Sequence, residues 1–223
     1  IGLAHHKGND NTFQNHYNTN FQILNKILKC AKSCKKKPLK IIYASTISIY
    51  GEDFKSDFFY ENYQANPISP YAVTKKKSEV LLTKNYRESS WILRLGPVYG
   101  KSFMLNIKRR TEIFGFPYRI GSGMKMISLC NIKNIGICIN AIICNKVPAG
   151  IYNLTDSKEY FYDDLLRFKN KKYAIRVPIF FVMVIYFLAK KFKLTSLKEN
   201  SIKLLTDNIY SSSKLQKFID LPY

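Results

Sequence analysis

The chain has 223 residues, 46% of them hydrophobic, which is enough for one domain with a smaller lobe and excludes a disordered polymer. Its net charge is +21, yet only seven of the 36 basic residues are arginine and the lysines are scattered. Arginine is the residue suited to bidentate base and phosphate contacts, so no nucleic-acid partner is expected.

From the N-terminus, Asn15 to Lys32 reads as a helix, with Phe21, Leu24, Ile27, Leu28 and Ala31 at helical spacing. Leu39 to Ala44 is apolar almost throughout, as a strand buried on both faces of a parallel sheet would be. Gly51 to Ser69 carries acidic, Asn and Pro residues and is expected to be a loop. Pro70 suits the first position of a helix bearing Tyr71, Lys75 and Glu79, and Glu79 is expected to pair with Lys75 or Lys76 on its surface. Trp91 to Leu95 is the next strand. After Lys101 the chain is expected to leave the sheet, returning at Ile151 to Leu154. Tyr50 and Tyr99, each before a glycine, read as packing residues at strand exits.

Val177 to Ala189 is a continuous apolar run followed by Lys190-Lys191-Phe192-Lys193. Thirteen residues make about 20 Å of helix, short of the ~30 Å hydrocarbon core. A buried helix of the C-terminal lobe is the expectation, and a membrane-surface or partner-binding helix over 177–193 is the alternative. The five cysteines are odd in number and contain no C-x-x-C, as in a reduced cytoplasmic protein. No metal site is expected, because His5 and His6 have no recognisable third ligand.

The chemistry sits in Ser45-Thr46-Ile47-Ser48-Ile49-Tyr50-Gly51 and in Ser69-Pro70-Tyr71-Ala72-Val73-Thr74-Lys75. A free phenol has a pKa near ~10 and is a poor base at neutral pH. Lys75 lies one turn beyond Tyr71 on the same helix face, where an ammonium is expected to stabilise the phenolate and bring the phenol toward working pH. The Thr46 hydroxyl at the strand end is placed to share a substrate oxygen with Tyr71.

These segments resemble the extended short-chain dehydrogenase/reductase family, in its NAD-dependent epimerase/dehydratase branch acting on nucleotide sugars. Ile1-Gly2-Leu3-Ala4-His5 looks like that family's fourth strand, and Tyr17-Asn18-Thr19-Asn20-Phe21 like the start of the following helix. Ser45-Thr46 with Ile49-Tyr50-Gly51 matches a strand end. Pro67-x-x-Pro70-Tyr71-x-x-x-Lys75-x-x-x-Glu79 matches the catalytic helix. Ile92 to Gly100 matches the sixth strand, and Gly150-Ile151-Tyr152-Asn153-Leu154 a late one.

The resemblance implies an α/β fold: an incomplete Rossmann-type doubly wound parallel sheet in residues 1–100, with its returning strand near 151–155, and a substrate-binding lobe in 101–223. It implies NAD as cofactor, held by Ala4, His5, Asn20, Ala44, Ser45, Tyr71, Lys75, Gly96 and Pro97. It implies a nucleotide-sugar substrate touched by Thr46, Tyr71, Arg94, Arg119 and Lys125, with an ion pair bridging the lobes as the alternative for Arg94, and a homodimer paired through the helix bearing Tyr71. Catalysis falls to Tyr71, Lys75 and Thr46.

Relatives that dehydrate place Asp-Glu directly after the threonine. Here the pair is Ile47-Ser48, so C4 epimerisation or 4-keto reduction is expected instead. The lobe resembles that of enzymes serving O-antigen and other surface polysaccharides. The family's glycine-rich turn does not occur in this sequence, and Ile1 already resembles the fourth strand. The expectation is a fragment lacking about the first 60–80 residues, with a separately supplied N-terminal half or an inactive remnant as alternatives.

Overall fold

A helix opens where Thr12 accepts a hydrogen bond from the Asn15 amide, satisfying one of the donors that a first turn leaves free. A computed structural model of the chain describes residues 12–34, 40–51, 58–170, 173–207 and 209–223. Helix α1 (Phe13–His16) passes into a π-helical segment (Tyr17–Gln22) and then α2 (Ile23–Ser33). The expected helix is therefore present with an over-wide turn in its first half. Leu28 is buried while Ile27 lies exposed, so the expected apolar stripe is narrower than its spacing implied.

Strand β1 (Ile41–Thr46) follows and ends in a 3₁₀ turn over Ile47–Tyr50. Gly51 closes that turn at φ +79°, where a Cβ would sit 2.3 Å from the Asn66 carbonyl oxygen. Only glycine fits both the left-handed backbone and the close approach. The expected loop after it contains a short strand, β2 (Phe58–Phe59). Helix α3 (Pro70–Asn85) begins as its sequence predicts: Ser69 caps the Ala72 amide and Pro70 takes the first turn. Strands β3 (Ser90–Leu95) and β4 (Val98–Tyr99) come next.

The chain then builds α4 (Leu105–Thr111), β5 (Glu112–Ile113), β6 (Phe116–Ile120), β7 (Met126–Ile127) and β8 (Cys130–Asn131). Helix α5 (Ile132–Ile143) leads to β9 (Gly150–Leu154), followed by β10 (Tyr160–Phe161), α6 (Tyr162–Phe168) and β11 (Ile175–Val177). Helices α7 (Ile179–Lys191) and α8 (Thr195–Leu205), strand β12 (Ile209–Tyr210) and helix α9 (Ser213–Gln216) complete the order.

The central sheet has the order β1-β3-β9, all parallel, with Ser45 opposite Arg94 and Arg94 opposite Asn153. The return to the sheet falls where the sequence placed it. On one face, Trp91, Leu93, Tyr152 and Leu154 pack with Cys138, Ala141 and Ile142 of α5 and with Leu215 of α9. On the other, Ile92 packs with Leu28 of α2 and Leu82 of α3. Helices thus cover both faces of a parallel sheet, the arrangement that lets its strands be apolar throughout. Helices α5 and α9 belong to this layer although both lie within residues 101–223. A second core gathers Tyr118, Ile120, Tyr162, Leu166 and Val182 in the lobe.

The apolar run expected to be a buried helix does form α7, but the helix is not buried. Only Val182 and Ala189 are shielded, whereas Phe180, Phe181, Ile185, Phe187 and Leu188 are exposed. Among the described residues no helix is long and apolar enough to cross a membrane.

Candidate active site

Thr46 ends β1, and Tyr71 and Lys75 stand one turn apart on α3, which packs against that strand end. The register sets Thr46 opposite Leu95, so the exit of β3 at Gly96 lies along the same C-terminal edge of the sheet. In open α/β sheets that edge is where ligands bind.

The Thr46 hydroxyl accepts the Ser48 amide at 3.2 Å and hydrogen-bonds the Tyr71 phenol. Because its oxygen is already an acceptor, its proton is available to the phenol oxygen, which favours the phenolate. Tyr71 is half-buried, and Thr46 and Lys75 are buried. The Lys75 ammonium donates to the Ala44 carbonyl at 2.9 Å and sits 4.8 Å above the Tyr43 ring and 5.9 Å from the centre of the Tyr71 ring.

The expected electrostatics are corrected here. Burial pushes the Tyr71 phenol above its ordinary value, and the bond from Thr46 only opposes that rise. Burial likewise brings Lys75 down to about 8, with Glu79 acting in the opposite direction. One turn of spacing brings the two groups together, but the low dielectric that surrounds them disfavours the charged form of each.

Beneath Tyr71 lies a polar cluster. His16, only 1% exposed, meets the Tyr71 ring edge-on at 6.2 Å between centroids. The Asn20 amide lies 3.3 Å from His16 Nδ1 and donates to Thr74 Oγ1 at 3.4 Å, and the Asn20 carbonyl accepts Ser78 Oγ at 3.1 Å. Asn20, expected at the cofactor, is therefore a buried brace between the π-helical segment and α3. His16 and Thr74 were not legible as site residues. The one available signal was the four-residue spacing of His16 and Asn20, which puts both on one helix face.

Glu79 meets Lys76 at 3.5 Å, as its helical spacing leads one to expect, but it and Arg94 lie deeper than expected. Glu79 is 1% exposed rather than on the surface, and Arg94 is 2% exposed. Arg94 donates from Nε to Glu79 Oε1 at 3.1 Å and from Nη2 to Oε2 at 2.9 Å, a two-pronged pair. Its Nη1 donates to the Tyr50 hydroxyl and to the Glu61 carbonyl. Four of its five donors are thus engaged, and the expected substrate contact is unavailable to it. Ser45, expected at the cofactor, donates its hydroxyl to Glu79 Oε1 at 2.6 Å instead. Tyr50 extends the network to Asn153 Oδ1, with burial raising its phenol despite Arg94.

Gly96 donates to the Leu154 carbonyl, and a Cβ there would lie 3.0 Å from Thr155 Cγ2, so the strand exit is tightly packed. The Pro97 carbonyl accepts the Cys130 amide. Arg119 pairs with Asp163 at 3.3 Å and Lys125 with Asp207 at 3.7 Å, both in the lobe. Ala4 and His5 lie outside the described residues.

A family model described as NAD dependent epimerase/dehydratase matches residues 2–126. Among solved structures, a UDP-glucuronic acid 4-epimerase from Bacillus cereus in complex with NAD is 25% identical with a TM-score of 0.62, over 79% of this chain and 59% of that one. A Helicobacter pylori ADP-L-glycero-D-manno-heptose-6-epimerase is 18% identical with a TM-score of 0.60, over 75% and 55%. A human epimerase family protein with NADPH is 14% identical with a TM-score of 0.71, over 98% and 72%. The last two speak for the fold alone, and this chain spans 59% and 55% of the two bacterial enzymes. Among curated proteins no sequence matches. The family match takes in the whole Thr46, Tyr71 and Lys75 cluster and more than half of the sequence, and on that ground the chain belongs to the NAD dependent epimerase/dehydratase family.

Proposed function

We infer that the Tyr71 site epimerises a nucleotide sugar at C4 through a 4-keto sugar, using NAD, in the cytoplasmic supply of surface-polysaccharide precursors. One observation carries the reading: a half-buried phenol bonded to a buried hydroxyl at the C-terminal edge of a parallel sheet, with an ammonium one turn along. The likeness to a UDP-glucuronic acid 4-epimerase in complex with NAD supports it.

The residues present fit that cofactor. Lys75 is a buried ammonium with three N–H donors, and its one hydrogen bond among the described residues goes to Ala44. Its remaining donors suit a ribose hydroxyl, and the sheet edge at Ala44, Gly96 and Pro97 supplies the floor. NAD, when bound, supplies the hydride acceptor and donor for the sugar carbon. Tyr71 takes the proton of the C4 hydroxyl and later returns it, while Thr46 orients the same oxygen. Ile47 is buried and Ser48 bonds through its amide to Thr46, so neither position offers the acid/base pair that dehydration needs. In this reading Arg119 and Lys125 exchange their carboxylate partners for the sugar's diphosphate. Two copies pair across α2 and α3, where Ile23, Ile27 and Val80 are exposed.

The test offers UDP-glucuronic acid and NAD and follows the C4 epimer by NMR. Epimer formation without net NADH supports the proposal. Stoichiometric consumption of NADH on a 4-keto sugar instead makes the enzyme a reductase built on the same three side chains. No heat of NAD binding in calorimetry would identify an inactive relative.

A further inference from the structure

Helix α7 is a feature that the Tyr71 site does not use. Its first eleven residues contain one polar group, the Tyr186 hydroxyl, and the helix ends in Lys190-Lys191. Val182 faces the lobe core with Tyr118, Tyr162 and Leu166, and Ala189, seven residues on, is buried on the same stripe. Nearly all of the remaining circumference faces outward: Phe180 is 68% exposed, Phe187 58% and Leu188 50%. The turn into α8 continues the pattern, with Phe192 and Leu194 exposed beside Lys191 and Lys193. Contiguous apolar surface of this kind on a folded chain marks a docking site.

We propose that α7 and the Lys190–Lys193 turn lie in the headgroup region of an anionic lipid bilayer. Charge selects this occupant. From Leu165 to Lys198 the sequence has nine lysines or arginines and no aspartate or glutamate, within a chain of net charge +21. A second copy docked on this face would set one lysine cluster against another. The helix is too short to span, so it lies along the surface while the lysines meet lipid phosphates.

The inference is independent of the chemistry assigned to Tyr71. Its test mixes the purified chain with vesicles of phosphatidylcholine alone or of phosphatidylcholine with phosphatidylglycerol, and reads co-sedimentation. The expected result is binding to the anionic vesicles at least tenfold tighter than to the neutral ones, weakened by added salt. The triple substitution Phe180→Ser, Phe187→Ser, Leu188→Ser should lower that binding at least tenfold with an unchanged far-UV spectrum, because all three side chains are already in water. The triple Lys190→Glu, Lys191→Glu, Lys193→Glu should remove the preference for anionic lipid. Separately, Phe187→Trp should give a blue-shifted emission on anionic vesicles. Absence of co-sedimentation, equal binding to both vesicle types, or an unshifted Phe187→Trp emission overturns the proposal. So does light scattering that finds a dimer abolished by the serine triple, which would give the face to a second copy.

Discussion

The strand ends around Thr46 and Arg94 and the helix α7 solve opposite problems. In the sheet layer, charged groups are taken out of water, and the Arg94–Glu79 pair is held by several partners. Arg94 spends four donors on Glu79, Tyr50 and Glu61. In the lobe, apolar groups are left in water, and α7 contributes two side chains to a core while exposing most of the rest. The contrast teaches where substitutions will be felt. The sheet layer is intolerant because desolvation has already occurred there, and removing one partner strands the other. The face of α7 is tolerant in the isolated chain because its side chains have little to lose.

The sharpest way to test the functional half of this contrast is Tyr71→Phe, which removes the hydroxyl proposed to transfer the proton and keeps the ring against His16. Turnover in a nucleotide-sugar epimerase assay should fall by about 10²–10⁴-fold with an unchanged circular dichroism spectrum. Retained turnover would take the chemistry away from this site. Next in size is Arg94→Met, which leaves the Glu79 carboxylate buried without its partner. Urea titration should lose about 3–5 kcal/mol of stability. A loss near zero would mean that the pair is not shielded as described.

A smaller effect comes from Lys75. Its folded pKa lies at about 8, below the ordinary lysine value. Between those two pH values the unfolded chain holds a proton that the folded chain has released, so stability should rise as pH increases through that window. The rise should vanish in Lys75→Met, read by the urea midpoint across pH. Any activity that needs the ammonium should fall over the same range. Smallest of all, Phe187→Ser should shift stability by no more than about 0.5 kcal/mol. A much larger loss would show that α7 is packed after all and erase the contrast.

The frame of the site was legible because its signals are local. A β-branched run ending in hydroxyls marks β1, Ser69-Pro70 writes both the cap and the first turn of α3, and the Tyr71 to Lys75 spacing follows from helical geometry. What could not be read depended on residues far apart in sequence or on the surroundings. Glu79 has lysines at helical spacing and does meet Lys76, but spacing does not show that its carboxylate is buried. Arg94 claims it only because β3 lies beside β1. Spacing also carries no information about dielectric, so the upward push of burial on Tyr71 could not be read from it. An apolar run such as 177–189 announces a helix without announcing what covers it.

The over-wide turn at Tyr17–Gln22 has a consequence for insertions and deletions. At its end the Ile23 amide reaches back five residues, to the Asn18 carbonyl, so the segment carries one residue more than an α-helix would need. The wider turns advance each residue by less than the α-helical 100°, so the extra residue is absorbed and the phase of α2 is kept. Loss of a single codon there would restore ordinary winding and leave Leu28 in its seat between Leu82 and Ile92. Its effect would fall inside the segment itself, where the Asn20 carbonyl holds Ser78. A codon lost within Ile23–Ser33 has no such slack and would rotate every later residue of that helix by about 100°.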